Sequence, residues 1–248
     1  MADVNMYTKY SRNSSQKSVN LAVPLLHWPP FHGICGALVW AQGVLTMGVR
    51  VVGLTGGIAT GKSSVARFLM ERGAVVIDAD ELSRLAVHPG SPALERIVDL
   101  FGAGVLLPDG NLDRRKMRSL VFGNDVNRRQ LEGIVHPEIR RLAEERIAAA
   151  ACRGERIVFY MAPLLIEAGV TSRVDEIWVV TLRPEIQIQR LMERDGISRE
   201  DACKIIDSQM PLAEKERHGR VIIDNSGTPE ETERLVADIW EREMGERA

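Results

Sequence analysis

From residue 49 onward, short and almost wholly apolar runs alternate with longer stretches in which apolar residues recur every three or four positions. The apolar runs cover residues 49–54, 74–77, 157–162, 177–182 and 221–223. None alternates apolar with polar residues, so each suits a strand buried on both faces. The helical stretches cover 62–72, 94–101, 114–122, 128–151, 185–194, 199–210 and 230–243. Strand alternating with helix predicts an α/β fold, a five-stranded, mostly parallel sheet flanked by helices. Residues 80–150 carry several helical stretches and no strand. They are expected as an insertion leaning over the carboxyl edge of the sheet, with 183–218 a second helical excursion rich in Arg and Lys. End signals support these helices. Ser198 precedes Glu200 and Asp201, Thr228 precedes Pro229, and His136 precedes Pro137, each read as a cap before a helix.

The first 48 residues break the pattern. No acid occurs between Asp3 and Glu71, and residues 24–49 carry no formal charge while including Pro24, Pro29 and Pro30. A disordered or non-native leader, with Met47 as the start, is the expectation. A membrane or signal segment over 33–49 is marginal in length, and the prolines spoil the amphipathic helix of a transit peptide. Composition narrows the rest. With 45% hydrophobic and 27% charged residues, the chain can bury a sizeable core. A net charge of −2 leaves no global basic field, so neither nucleic acid nor a membrane is an expected partner and any anion site must be local. Cys35, Cys152 and Cys203 are widely spaced, which fits reduced, buried thiols in a cytoplasmic protein rather than a disulfide framework or zinc site.

The local anion site is legible at residues 53–64, GLTGGIATGKSS. Gly56-x-x-x-x-Gly61-Lys62-Ser63 is a phosphate-binding loop, placed after a buried strand and before a helix. Glycines let the backbone turn its N–H groups onto phosphate oxygens, and the following helix adds the partial positive charge of its N-terminus. Lys62 can reach the β- and γ-phosphates, the Ser63 hydroxyl suits Mg²⁺, and Gly57, Ala59, Thr60, Gly61 and Ser64 complete the cradle.

Two further elements bear on what is done with the triphosphate. Helix 62–72 carries the chain about 16 Å away and strand 74–78 returns it by about the same distance, which brings Asp78 and Asp80 back to the loop. A carboxylate there can accept a proton from an attacking hydroxyl or hold water on Mg²⁺; Asp80 can equally cap a helix over 81–86. Arg183, Arg190 and Arg194 lie in the second excursion, the last two on one helix face. Arginines on a mobile lid can neutralise a transferring phosphoryl group, whereas Lys204 and Lys215 read as solvated surface.

These residues, taken with VIDADELSR, PGSPAL, the His136-Pro137 pair, PLLIE, QRLMERDGIS, SQMPLAEK and IIDNSG in that order, make the chain resemble dephospho-coenzyme A kinases from residue 49 to about 244. The resemblance implies a P-loop kinase that transfers the ATP γ-phosphate to the ribose 3′-hydroxyl of dephospho-coenzyme A. It implies a core of 49–79, 152–182 and 219–245, a helical substrate domain over 80–151 and a lid over 183–218, in a cytoplasmic monomer or weak homo-oligomer. Carried over by position, Asp80 is the general base, Lys62 and Arg190 act on the phosphates, and Ser63 holds Mg²⁺. His136 lies on the acceptor side, and Asn225 lies in the loop bordering the adenine.

The chain also departs from that pattern. Ala59 and Thr60 stand where many members have Gly and Ser, and Ala59 would resist a positive φ. Met161 stands where an aspartate often ends the strand, Ile205 where the lid often has an arginine, and Gly219-Arg220 where Ala-Asp is common. These are read as variation in lid and adenine-side detail. Two other functions stay in view: a kinase with another small acceptor, and a nucleotide-dependent switch, against which no NKxD sequence is present.

Overall fold

The computed structural model describes residues 48–245, so the leader expected over 1–48 lies outside the described residues apart from Gly48. The five predicted strands form β1 (Arg50–Gly56), β2 (Val75–Asp78), β3 (Ile157–Met161), β4 (Glu176–Thr181) and β5 (Val221–Asp224). They make one sheet of order β2-β3-β1-β4-β5, and every pairing is parallel. Around them run α1 (Lys62–Glu71), α2 (Ala79–Leu85), α3 (Pro92–Phe101), α4 (Arg114–Val121), α5 (Asp125–Cys152), α6 (Pro184–Asp195), α7 (Arg199–Asp207), α8 (Leu212–Glu216) and α9 (Pro229–Gly245).

Buried side chains line both faces of the sheet, as the runs without polar alternation required. On one face Val52, Leu54, Phe159, Trp178 and Ile223 pack against Val65, Phe68 and Leu69 of α1 and Val236 and Ile239 of α9. On the other, Val51, Ile77, Val158 and Val179 meet Ala143, Ile147 and Ala150 of α5. Central β1 has a neighbour on each side whose connections run in opposite directions. Ligands of open parallel sheets bind at the carboxyl edge beside such a switch point. The block between β2 and β3 is helical, with its own core of Ala86, Ile97, Val105, Met117 and Ile134. The excursion between β4 and β5 has a smaller one, Leu191, Ala202 and Ile205.

Several expectations change. His136 is no cap, because α5 runs unbroken from Asp125 to Cys152 with Pro137 inside it and Asn124 as its N-cap. Pro137 lacks the N–H that would bond the Gly133 carbonyl, but the helix continues because its packing against the sheet and the insertion outweighs one lost bond. Cys152 is exposed and Cys203 partly so, not buried; Cys35 lies outside the described residues. Ile205, at the position where the resemblance led one to expect an arginine, joins the apolar cluster of the β4–β5 excursion and is 8% exposed. Arg220 sits at the amino edge of the sheet, far from any carboxyl-edge ligand. It pairs with Glu243 and, at 2.7 Å, with Glu176, while Arg50 pairs with Glu243 at 2.6 Å. The Gly219-Arg220 departure is thus structural and not an adenine-side detail.

Candidate active site

Gly61 carries φ +87 as the N-cap of α1. No side chain fits there, because a Cβ would lie 2.1 Å from Asn225 Nδ2. That close approach has a purpose. Asn225, buried in the loop after β5, donates from Nδ2 to the Thr60 carbonyl at 2.8 Å and accepts at Oδ1 from Thr232 Oγ1 at 2.7 Å. It therefore braces the phosphate loop from behind. Thr60 turns inward as well, fully buried, its hydroxyl donating to the Gly57 carbonyl at 2.9 Å. Ser63 and Ser64, by contrast, are exposed at the first turn of α1. Gly57 is buried, and a Cβ on it would lie 2.8 Å from Gln187 Nε2, so its lack of a side chain admits the second excursion.

Ala59 adopts φ +58, the left-handed conformation its Cβ disfavours. The sequence anticipated resistance to this geometry, and the structure adopts it nonetheless. Lys62 folds its ammonium onto the loop, donating to the carbonyls of Gly56 at 3.0 Å and Gly57 at 2.6 Å. Burial, then the nearby cations Lys215 and Arg194, push its pKa down to about 7 against the opposing pull of Asp80 and Glu167. Two loop carbonyls accept from an ammonium that an anionic phosphate oxygen would stabilise in its charged form.

Asp78 ends β2 opposite Met161 of β3, so a carboxylate stands one strand over from where Met161 leaves none. Asp78, not Asp80, is the N-cap of α2, accepting from the Asp80 N–H at 2.8 Å. Capping is thereby excluded for the Asp80 carboxyl, which stands in the first turn facing solvent. Protein crowding around it, and secondly the charge of Asp78, raise its pKa, while Arg84 and Lys62 oppose the rise. Such a carboxyl is a better proton acceptor than an ordinary aspartate. Arg84, one turn along α2, faces Arg114 of α4, whose own pKa burial and Arg84 lower. Among the described residues no carboxylate lies within ion-pair distance of either arginine. The sequence reading had singled out neither.

Arg190 lies over the loop, its Nη1 3.8 Å from where a Cβ on Gly61 would stand. Arg194 is one turn further along the same helix, paired with Asp195 at 2.8 Å. Lys204 is exposed, as expected, and bonds Glu200 at 2.6 Å. Lys215 overturns its expectation. It is 0% exposed, pairs with Glu167 at 2.6 Å and donates to the Pro163 carbonyl at 2.9 Å. Its neighbour Glu216 accepts from Thr181 Oγ1 at 2.5 Å, so α8 is fastened to the core twice. His136 is exposed on α5.

For Mg²⁺ the donors are suitable. Ser63, Asp80 and Asp78 offer hard oxygens at the loop. A cation that keeps most of its waters and borrows phosphate oxygens needs only one or two of them. No group of three or more metal-ligating residues occurs among the described residues, and no helix there is long and apolar enough to cross a membrane.

A family model described as dephospho-CoA kinase matches residues 50–231. The dephospho-CoA kinase of Geobacter sulfurreducens is 53% identical over 192 residues, spanning 77% of this chain and 98% of that protein. The one from Geobacter metallireducens is 53% identical over 194 residues, 78% of this chain and 96% of that protein. Among solved structures, a Thermus thermophilus protein superposes with TM-score 0.67 at 33% identity, covering 78% of this chain and 97% of that one. Dephospho-CoA kinase from Campylobacter jejuni superposes with TM-score 0.61 at 25% identity, covering 77% and 96%.

Proposed function

Since the chain belongs to the dephospho-CoA kinase family and catalyses ATP-dependent phosphorylation of dephospho-CoA, the final step of coenzyme A synthesis, we propose how its residues carry out the transfer. ATP seats on residues 56–64. Lys62 exchanges its two loop carbonyls for β- and γ-phosphate oxygens, and the α1 N-terminus supports them. Ser63, with Asp80 or Asp78 beside it, would hold Mg²⁺, and that ion would supply charge neutralisation on the phosphates. Asp80 takes the proton of the ribose 3′-hydroxyl as that oxygen attacks, and its raised pKa suits it to the task. Arg190 faces the equatorial oxygens of the transferring group.

Arg84 and Arg114 supply positive charge for the acceptor's diphosphate beside Asp80. His136 remains assigned to the acceptor side on family position alone. The helical block over 80–151 serves as the acceptor domain and 183–218 as the lid. The enzyme is taken to work in the cytoplasm as a monomer or weak homo-oligomer without nucleic acid, which the net charge of −2 supports.

The observation that carries this reading is the convergence of Lys62 and Asp80, from separate βα turns, at the carboxyl edge beside the switch point. The test is incubation of the purified full chain with Mg²⁺-ATP and dephospho-CoA, AMP or CMP. Coenzyme A and ADP are expected from the first acceptor only. Consumption of AMP or CMP at a comparable rate overturns the acceptor, and no ATP consumption with any acceptor overturns the activity.

A further inference from the structure

Ile58 stands at the apex of the phosphate loop, and both of its backbone polar groups are taken by the lid. Its N–H donates to Gln209 Oε1 at 2.8 Å, and its carbonyl accepts from Gln187 Nε2 at 2.8 Å. Backbone chemistry fixes both amide orientations, since an N–H only donates and a carbonyl only accepts. The side chains of Ile58 and Ala59 pack on the lid's apolar cluster of Leu191, Ala202 and Ile205. The next residue, Ala59, holds φ +58, a conformation that persists only where its surroundings impose it. Gln187 lies three residues before Arg190 on α6, on the same helix face.

We propose that Gln187 and Gln209 are positioning residues for phosphoryl transfer, clamping Ile58 so that the phosphate loop and the arginine-bearing helix α6 reach the triphosphate as one preset unit. Ile58 then contributes shape and not a phosphate contact, because its N–H is spent on Gln209. The clamp holds the loop in its left-handed bend at Ala59 before ATP arrives, so ordering the loop draws nothing from ATP binding. It also sets the base of the lid: α6 does not swing freely, and any closing motion must pivot beyond Gln187. The inference rests on the ATP-dependent transfer argued above.

The experiment compares the full chain with Gln209→Met and Gln187→Met, and with Ala59→Gly alone and added to Gln209→Met. Gln209 is only half-buried, which protects its variant from misfolding. Gln209→Met is expected to raise KM for ATP about tenfold, the loss of one well-placed hydrogen bond, with KM for dephospho-CoA unchanged. Gln187→Met should lower kcat as well, because Arg190 loses its register. Ala59→Gly should recover part of the ATP affinity in Gln209→Met, because glycine takes the left-handed bend without the clamp. An active Gln209→Met protein with unaltered KM for ATP, or one that loses only thermal stability, overturns the clamp. If the parent does not phosphorylate dephospho-CoA, the reading of function falls instead. Calorimetric ATP binding by the same variants then still decides the clamp.

Discussion

Replacing Lys215 by methionine tests most directly how the helical excursion between β4 and β5 is joined to the sheet. The ammonium is fully buried, bonded to Glu167 at 2.6 Å and to the Pro163 carbonyl at 2.9 Å, while Glu167 is 22% exposed. Methionine keeps the length and the packing but leaves Glu167 without its cation. Removing one partner of a buried ion pair costs about 3–5 kcal/mol, and the partial access of water to Glu167 puts the loss near the lower end, about 3 kcal/mol. The Pro163 carbonyl adds little to that, because Thr55 Oγ1 still donates to it at 3.3 Å. For a chain of this size each kcal/mol moves Tm by about 2–4 °C, so Lys215→Met should melt about 6–12 °C below the parent. Adding Glu167→Leu removes the stranded carboxylate, and the double variant should regain most of the loss, since a well-packed apolar pair often matches a buried ionic one. Differential scanning fluorimetry and urea titration of the four proteins give the cycle. Were Lys215→Met to melt within about 2 °C of the parent, the ammonium would not be buried in solution and α8 would not be docked as described.

Three other outcomes follow from the same geometry. Lys62, held down near pKa 7 mainly by burial and by Lys215, is largely neutral at pH 8 in the free protein and becomes charged against phosphates. ATP binding at pH 8 should therefore take up protons, seen by calorimetry in buffers of different ionisation enthalpy, and the uptake should vanish in Lys62→Met. By the same sign, the burial of Lys62 costs stability below about pH 7, and that cost is relieved as pH rises from about 7 toward the unfolded value, where the folded state binds fewer protons. Asp80→Asn should lower kcat about 10²–10⁴-fold while sparing ATP binding. Its Tm should not fall: the raised pKa means the stability Asp80 contributes is present at acid pH and lost as pH rises through that value, so its carboxylate is a liability at neutral pH. A clear drop in Tm would refute this. Asn225→Asp keeps the acceptor for Thr232 but loses the donor to the Thr60 carbonyl, a loss of about 1–3 kcal/mol. KM for ATP should rise with it, and an unaltered KM would show that the brace does not shape the loop.

The site was unevenly legible in the sequence. Lys62, Ser63 and the glycines declared themselves because a phosphate loop needs fixed residue types at fixed spacing. Asp80 was placed by the lengths of α1 and β2, but its freedom from capping was not, because Asp78 and Asp80 compete for the same helix end and only the backbone shows which one caps α2. Asn225 was located by its resemblance, yet its bond to the Thr60 carbonyl joins residues far apart in the chain. His136 misled because a His-Pro pair looks like a helix start, whereas tertiary packing carries α5 through the proline.

By itself, then, the sequence determined the five buried strands, the helices between them, the phosphate loop and the family, because hydrophobic period, turn chemistry and motif spacing are local properties. Only the tertiary structure decided that Lys215 is a buried anchor, that Arg220 joins an ion network at the opposite edge of the sheet, and that Gln187 and Gln209 hold Ile58. A polar side chain reads the same in a sequence whether water or a distant carbonyl satisfies it, and the fold alone supplies the partner.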